Sequence, residues 1–425
     1  MTDTQVSENH QIPSIHFLEK KNVQRWIYYF LTIAAIFSFI LIRRGGDLAG
    51  YLAMGRRVLD GEWIYFDPMI TKWPPFFSLL CAPLALLASP TVYLARGVWL
   101  FLNYVALLVV LHFIARFIYD KPLSLRLETA GLTPASAELF IPILLTFRYL
   151  LSNLEHLQIN LILFAMVLGG LSLQKNKQEF RGGMLIGAAI ALKIMAIVFV
   201  PYFIYRRRWR SAAFVTLWTV LFSLSPILVF GWDKFWEYVN AFRAALDLGW
   251  WVGSMNHSVF AMWDRLIGWG MVPFMHRVTV GLPASGNPIV RVASILSLAI
   301  VALVSVWVFR KEPRDRFRGR VTWGELAEWS IVFIVGTLFG TVSWNAFLVV
   351  LLLPNALLFA VWRSPIDQKT RRIALAAMIV SFALSVISTP GFVGHTFAVI
   401  LEMSSIITMA VLILLWGLFV VRTQL

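Results

Sequence analysis

The sequence predicts an all-α polytopic membrane protein, and three observations lead there. Of its 425 residues, 59% are hydrophobic and 14% charged. The mean hydropathy of +0.75 is far above that of a soluble globular chain. The apolar residues fall in long runs separated by short loops, and the loops carry most of the basic residues. The net charge of +15 therefore reads as loops facing a cytoplasm and not as a nucleic-acid surface. Cys81 is the one cysteine, so no internal disulfide can form and no Cys/His metal cluster is encoded.

The first 25 residues are polar and read as a cytoplasmic tail. Lys20, Lys21 and Arg25 precede Trp26, and no small-residue cleavage site follows, so 26–42 is expected to be an uncleaved anchor. The apolar runs suggest about twelve transmembrane helices, at 26–42, 75–88, 92–117, 138–151, 158–173, 183–205, 211–230, 289–309, 326–342, 345–362, 373–388 and 398–421. The loops 206–210, 310–320 and 363–372 are strongly basic and belong on one side, the cytoplasm. Counting back places both termini there as well, in the cell (inner) membrane, and the first loop outside. Parity also puts 174–181 outside, against its basic charge. The chain is expected to form a single integral membrane domain.

The first external loop, 43–74, is the long polar segment near the start. Leu48, Tyr51, Leu52, Gly55, Val58 and Leu59 recur at helical spacing, while Arg56, Arg57 and Asp60 fall opposite. That predicts an amphipathic helix along the membrane surface, stopped at Gly61. Asp47 at its start is either an N-cap, accepting from a first-turn amide, or a catalytic carboxylate. Lys72 and Arg44, at the ends of this loop, are placed to reach a phosphate or to snorkel. The second external loop, 231–288, carries four basic and four acidic residues.

Two charges sit inside apolar runs, where a charge needs a cavity or a partner. Arg148 is either functional or ion-paired with Glu138 or Glu155. Lys193 has no acidic residue on its own helix, which favours anion binding. The fourth and fifth runs are short and meet at Gln158 and Asn160, so a broken or re-entrant backbone is expected there. Asn256 and His257 form the most polar point of the second external loop. The sequence contains no glycine-rich phosphate loop, nucleophile elbow or metal-ligand spacing.

In this order the pieces resemble glycosyltransferase family 87, polyprenyl-phosphate-mannose-dependent hexosyltransferases of the C-type superfamily. The resemblance is carried by GGDLAGYLAMGRRVLDGEWIY, KWPPFFSLLCAPLALL, HLQINLILFAMVLGGLSL, GGMLIGAAIALKIMAIVFVPYFIYRRRWR, Asn256-His257-Ser258-Val259 and SWNAFLVVLLLP. It implies a lipid-linked donor, a lipid or glycan acceptor outside the cell, inversion at the sugar, no cofactor, and Asp47 as general base. The need for a divalent metal is left open. Lys193, Lys72, Arg44, Arg148, Gln158, Asn160, Asn256 and His257 are then the substrate and phosphate candidates. Trp73 stands where the family has tyrosine, and Asn345, Ala346 and Phe347 stand where histidines are common. The rival reading is a lipid-linked-sugar flippase or another transporter.

Overall fold

The computed structural model describes residues 46–66, 72–124, 131–248, 252–268, 284–312 and 321–425, with parts of 28–36. The first predicted span, 26–42, and Arg44 lie largely outside the described residues. Every described element of size is helical: α1 (Gly46–Asp60), α2 (Pro75–Ala88), α3 (Val92–Tyr119), α4 (Ala137–Glu155), α5 (Asn160–Lys175), α6 (Glu179–Leu192), α7 (Phe199–Tyr205), α8 (Trp209–Leu224), α9 (Trp232–Leu248), α10 (Val259–Trp263), α11 (Pro288–Phe309), α12 (Trp323–Leu338), α13 (Leu352–Arg363), α14 (Gln368–Ile387), α15 (His395–Met403) and α16 (Ile406–Gln424). Short 3-10 turns, Ile194–Val198 and Asn345–Leu351, lead into α7 and α13.

Among the described residues, seven stretches are long and apolar enough to cross a membrane: Val92–Tyr119, Ala137–Glu155, Trp209–Phe230, Pro288–Phe309, Asn345–Arg363, Gln368–Ile387 and Ile406–Gln424. Buried ion pairs mark one end of the bundle. Glu325 on α12 binds both Lys175 and Arg208, each at 2.6 Å. One turn on, Glu328 binds Arg206 and, at 2.7 Å, Arg422. Arg422 also donates to the Lys311 carbonyl, so the basic loops gather at this end.

That clustering overturns two of the predicted crossings. The chain leaves Glu325 at Lys175 and returns to it at Arg208, so 183–205 is no span. Instead α6 rises from the basic end, breaks at Lys193, and α7 descends to the same end. Lys193 takes an extended backbone, φ −158° and ψ 115°, which ends α6. The hairpin tip lies tight on α12, where a Cβ on Gly336 would meet the Met195 carbonyl at 2.4 Å. Residues 174–181 consequently lie with the basic loops, and their charge needs no special excuse.

The segment Pro75–Ala88 fails to cross for a related reason. Its 14 residues rise only ~21 Å against a hydrocarbon thickness of ~30 Å. It starts against α1, with Phe77 edge-on to Tyr51 at 4.8 Å. After Thr91, α3 runs 28 residues, ~42 Å, to the basic end, where Trp323 Nε1 donates to the Ile118 carbonyl at 3.1 Å. Since α3 ends at the basic end, α2 must both begin and finish on the other side. Hydropathy alone could not separate it from a span.

The core is mostly apolar and centres on α12 and α13, whose side chains are almost all buried, with Glu325, Glu328 and Asn355 among its few polar members there. By contrast α11 is exposed along most of its length, as a helix facing lipid is.

Candidate active site

The helix α1 covers the range its spacing predicts. Leu48, Tyr51, Met54 and Gly55 are buried, and Arg56 and Asp60 are exposed. Gly61, φ +71°, ends it with the paired bonds Glu62 N to Arg57 O, 2.9 Å, and Gly61 N to Val58 O. At its start, Gly46 takes φ +47° where a Cβ would stand 2.6 Å from the His156 carbonyl. The Asp47 amide donates to that same carbonyl at 3.1 Å. Asp47 is thereby pinned to the turn between α4 and α5.

Among the described residues no amide of α1 donates to the Asp47 carboxylate, so the capping reading has no geometric support. Burial pushes its carboxyl above the ordinary aspartate value, against the opposing pull of Lys193 and His156. A half-buried, uncapped carboxylate of raised pKa has the character a general base needs.

Facing it is Lys193, at the hairpin tip. Its Nζ donates to Asn160 Oδ1 at 2.8 Å and lies 3.4 Å from the Phe347 ring centre. It forms no direct ion pair with Asp47 among the described residues. Asn160 in turn donates to Gln158 Oε1, 2.7 Å, and to Asn153 Oδ1, 3.4 Å. Asn153 donates to Asn103 Oδ1 at 2.9 Å, and Asn103 to the Trp99 carbonyl at 3.1 Å. This chain of amides points its oxygens toward Lys193, so each bond polarises the next and the ammonium is held in place. Asn103, Asn153 and His156 escaped the sequence reading. A lone amide within VWLFLNYVALL was the available sign, since an unsatisfied amide in hydrocarbon is costly.

A cavity of ≈ 40 Å³ opens beneath Lys193, walled by Leu163, Phe164, Phe199 and Phe333. Ile194 and Ile197, just past the lysine, are 62% and 43% exposed. The cation thus has an apolar flank leading outward from the bundle.

The other candidates are placed differently. Lys72 is half-buried beside Trp73, whose ring packs edge-on to Tyr51 at 4.8 Å. Arg148 is committed to Glu402, to Ser388 Oγ at 2.6 Å and to the Ser385 carbonyl at 2.5 Å. Its partner is therefore Glu402 from far along the chain, and not Glu138 or Glu155. Asn256 spends its side chain as a staple: Oδ1 accepts from Ser258 N and Ser343 N, and Nδ2 donates to the Thr341 carbonyl at 3.0 Å. His257 is fully buried against the same strand of chain, its amide donating to the Ser343 carbonyl at 2.7 Å. Trp250 and Trp251 lie outside the described residues. Among those residues no three His, Cys, Asp or Glu side chains converge to hold a metal ion.

Fold and site together define an integral membrane protein that sets a carboxylate and a separate cation at one end of its bundle, beside an apolar flank. The chain belongs to glycosyltransferase family 87, whose model matches residues 72–326, well over half of its length. Lys72, Arg148, Gln158, Asn160, Lys193, Asn256 and His257 fall inside that match; Asp47 and Asn345 fall outside it. The chain is also 25% identical over 312 residues to a polyprenol-phosphate-mannose-dependent alpha-(1-2)-phosphatidylinositol mannoside mannosyltransferase of Mycolicibacterium smegmatis. That similarity covers 70% of this chain and 66% of the relative, just under two thirds of the relative's length. No solved structure matches the chain.

Proposed function

We propose that the protein transfers a hexose, mannose by similarity to its mycobacterial relative, from a polyprenyl-phosphate donor to a lipid or glycan acceptor. The carrying observation is an uncapped Asp47 carboxylate with the Lys193 amine held apart from it; burial lowers the Lys193 pKa to about 7, and an arriving phosphate favours its charged form. An acceptor hydroxyl oxygen attacks the anomeric carbon, and its proton passes to Asp47. The bond from that carbon to the phosphate oxygen breaks, and its electrons leave with the lipid phosphate. Lys193 offsets the growing negative charge there. A single displacement of this kind inverts the anomeric centre.

Ile194 and Ile197 let the donor's prenyl chain lie in the bilayer while its phosphate meets Lys193. The cavity of ≈ 40 Å³ is too small to enclose that chain, which favours a lipid reaching in from the side. The basic loops gathered at the opposite end support, through the positive-inside rule, a reaction on the external face and cytoplasmic termini. Lys72 is the candidate for a second phosphate contact. Gln158 and Asn160 position the lysine.

The test is transfer of label from polyprenyl-phosphate mannose to membrane-extracted acceptor by purified protein. Label should reach the acceptor without any nucleotide sugar present. Transfer that requires a nucleotide-linked sugar and ignores the lipid donor would sink the proposal.

A further inference from the structure

Away from the Asp47 and Lys193 pair, one corner of the molecule leaves several buried polar atoms without a hydrogen-bond partner among the described residues. They are both ring nitrogens of His257, the Ser343 hydroxyl and the Asn345 side-chain oxygen. His257 and Ser343 are 0% exposed. Buried polar atoms are almost always paired, because an unmade bond forfeits the whole desolvation cost of the group. Several orphans in one place need an explanation.

The corner is built with care. Asn256 staples the two segments together, Ser258 Oγ donates to the Thr341 carbonyl at 3.1 Å, and Thr408 Oγ1 donates to the His257 carbonyl at 2.9 Å. The side chains of Asn256, Ser258 and Thr408 are bonded while those of His257, Ser343 and Asn345 keep the orphan atoms. Burial holds the imidazole well below the usual histidine value, and the Arg148 and Arg265 charges push the same way, which favours the neutral ring. Of the acids on this side, Glu402 is occupied by Arg148 and Asp264 accepts from Ser285 N at 2.9 Å. Asn345 lies near the ring, close to but outside the geometry of a hydrogen bond with it.

The corner adjoins the candidate active site. Asn345 and Phe347 share one 3-10 turn, so two residues, ~4 Å of rise, separate Asn345 from the ring that lies on Lys193.

We propose that His257, Ser343 and Asn345 form a subsite for the hydroxyl groups of a sugar. The chemistry selects this class. Asn345 Oδ1 only accepts, one neutral imidazole nitrogen accepts and the other donates, and the serine hydroxyl does both. A phosphate supplies no donor for Asn345 at neutral pH, and a cation supplies no acceptor for the imidazole N–H. Sugar hydroxyls supply both. This subsite rests on the glycosyl-transfer reading and assigns it the residues that grip the sugar, while Lys193 meets the phosphate. His257 then brings an imidazole to a segment that carries Asn345, Ala346 and Phe347 after its Ser-Trp pair.

The experiment compares wild type with Ser343→Ala and His257→Asn in nanodiscs. Octyl mannopyranoside below its micellar concentration is the binding probe, and octyl phosphocholine is the control for the chain. The sugar probe should raise Tm of wild type and lose at least half of that shift in each variant. KM for polyprenyl-phosphate mannose should rise at least 10-fold with kcat less affected, and without probe Ser343→Ala should melt no lower than wild type. Equal probe shifts and equal KM in all three proteins would overturn the subsite and leave ordered water as the occupant of those bonds. Probe binding that needs these residues, in a protein that transfers nothing, would support the subsite and defeat the transfer chemistry instead. If one variant fails to fold, the other decides.

Discussion

Replacing Asp47 by Asn tests the site most directly. The change is near-isosteric and removes the proposed base. No amide of α1 depends on the carboxylate, so no cap is lost. Burial already raises the carboxyl's pKa, which means that ionised Asp47 is a cost to the fold, and a neutral amide removes it. Tm should therefore hold or rise. Activity should fall by ~10²–10⁴-fold, the usual contribution of a positioned base, or ~3–5 kcal/mol of barrier at 1.36 kcal/mol per tenfold. The pH profile gives an independent reading. A base must be deprotonated to act, so the wild-type rate should fall as pH drops through a value above the ordinary carboxylate range. In Asp47→Asn that acid limb should vanish from the residual rate. The assay is kcat/KM for label transfer across pH in nanodiscs. A variant that keeps more than a tenth of wild-type kcat/KM, or that keeps the acid limb, refutes the role.

Two further predictions concern the scaffold. Arg148→Met leaves Glu402, whose side chain is 12% exposed, as a buried unpaired carboxylate. It should cost ~3–5 kcal/mol in thermal unfolding, with most of the loss recovered in Arg148→Met/Glu402→Gln; a single variant as stable as wild type would show the pair to be incidental. For the hairpin, single cysteines at Asn176 and Arg210 in a Cys81→Ala background should react with an impermeant maleimide from the same side of sealed vesicles. Labelling from opposite sides would restore the continuous span at 183–205.

How far the sequence could be read depended on whether hydropathy or proximity held the information. The helix α1 and its stop at Gly61 were legible because side-chain spacing and one left-handed residue decide them. The crossings at 75–88 and 183–205 were misread because an apolar helix packed in an external layer, or folded back as a hairpin, has the same composition as a span. Only the sharing of Glu325 by Lys175 and Arg208 exposes the return. Lys193 stood out as a charge in an apolar run, but what holds it did not. The amides Asn103, Asn153 and Asn160 come from different helices, and no local pattern joins them. In the sequence His257 reads as a polar loop residue, yet its burial and its place against Ser343 are matters of tertiary contact.

In the proposed mechanism the separation between Asp47 and Lys193 is itself part of the chemistry. A direct ion pair would favour the carboxylate's charged form, pull its pKa below the ordinary value and leave a weak base. It would also neutralise the cation before the phosphate arrived. The structure avoids this by giving the ammonium an amide oxygen and an aromatic face in place of the carboxylate. Asn160 is then the restraint. In Asn160→Leu the oxygen is lost at nearly constant volume, and Lys193 is free to turn toward Asp47. The acid limb of kcat/KM should move to lower pH while the plateau rate falls, a combination that loss of folded protein cannot produce because it scales every point alike. A plateau that falls with the limb unmoved would show that Asn160 does not govern the spacing of the two charges.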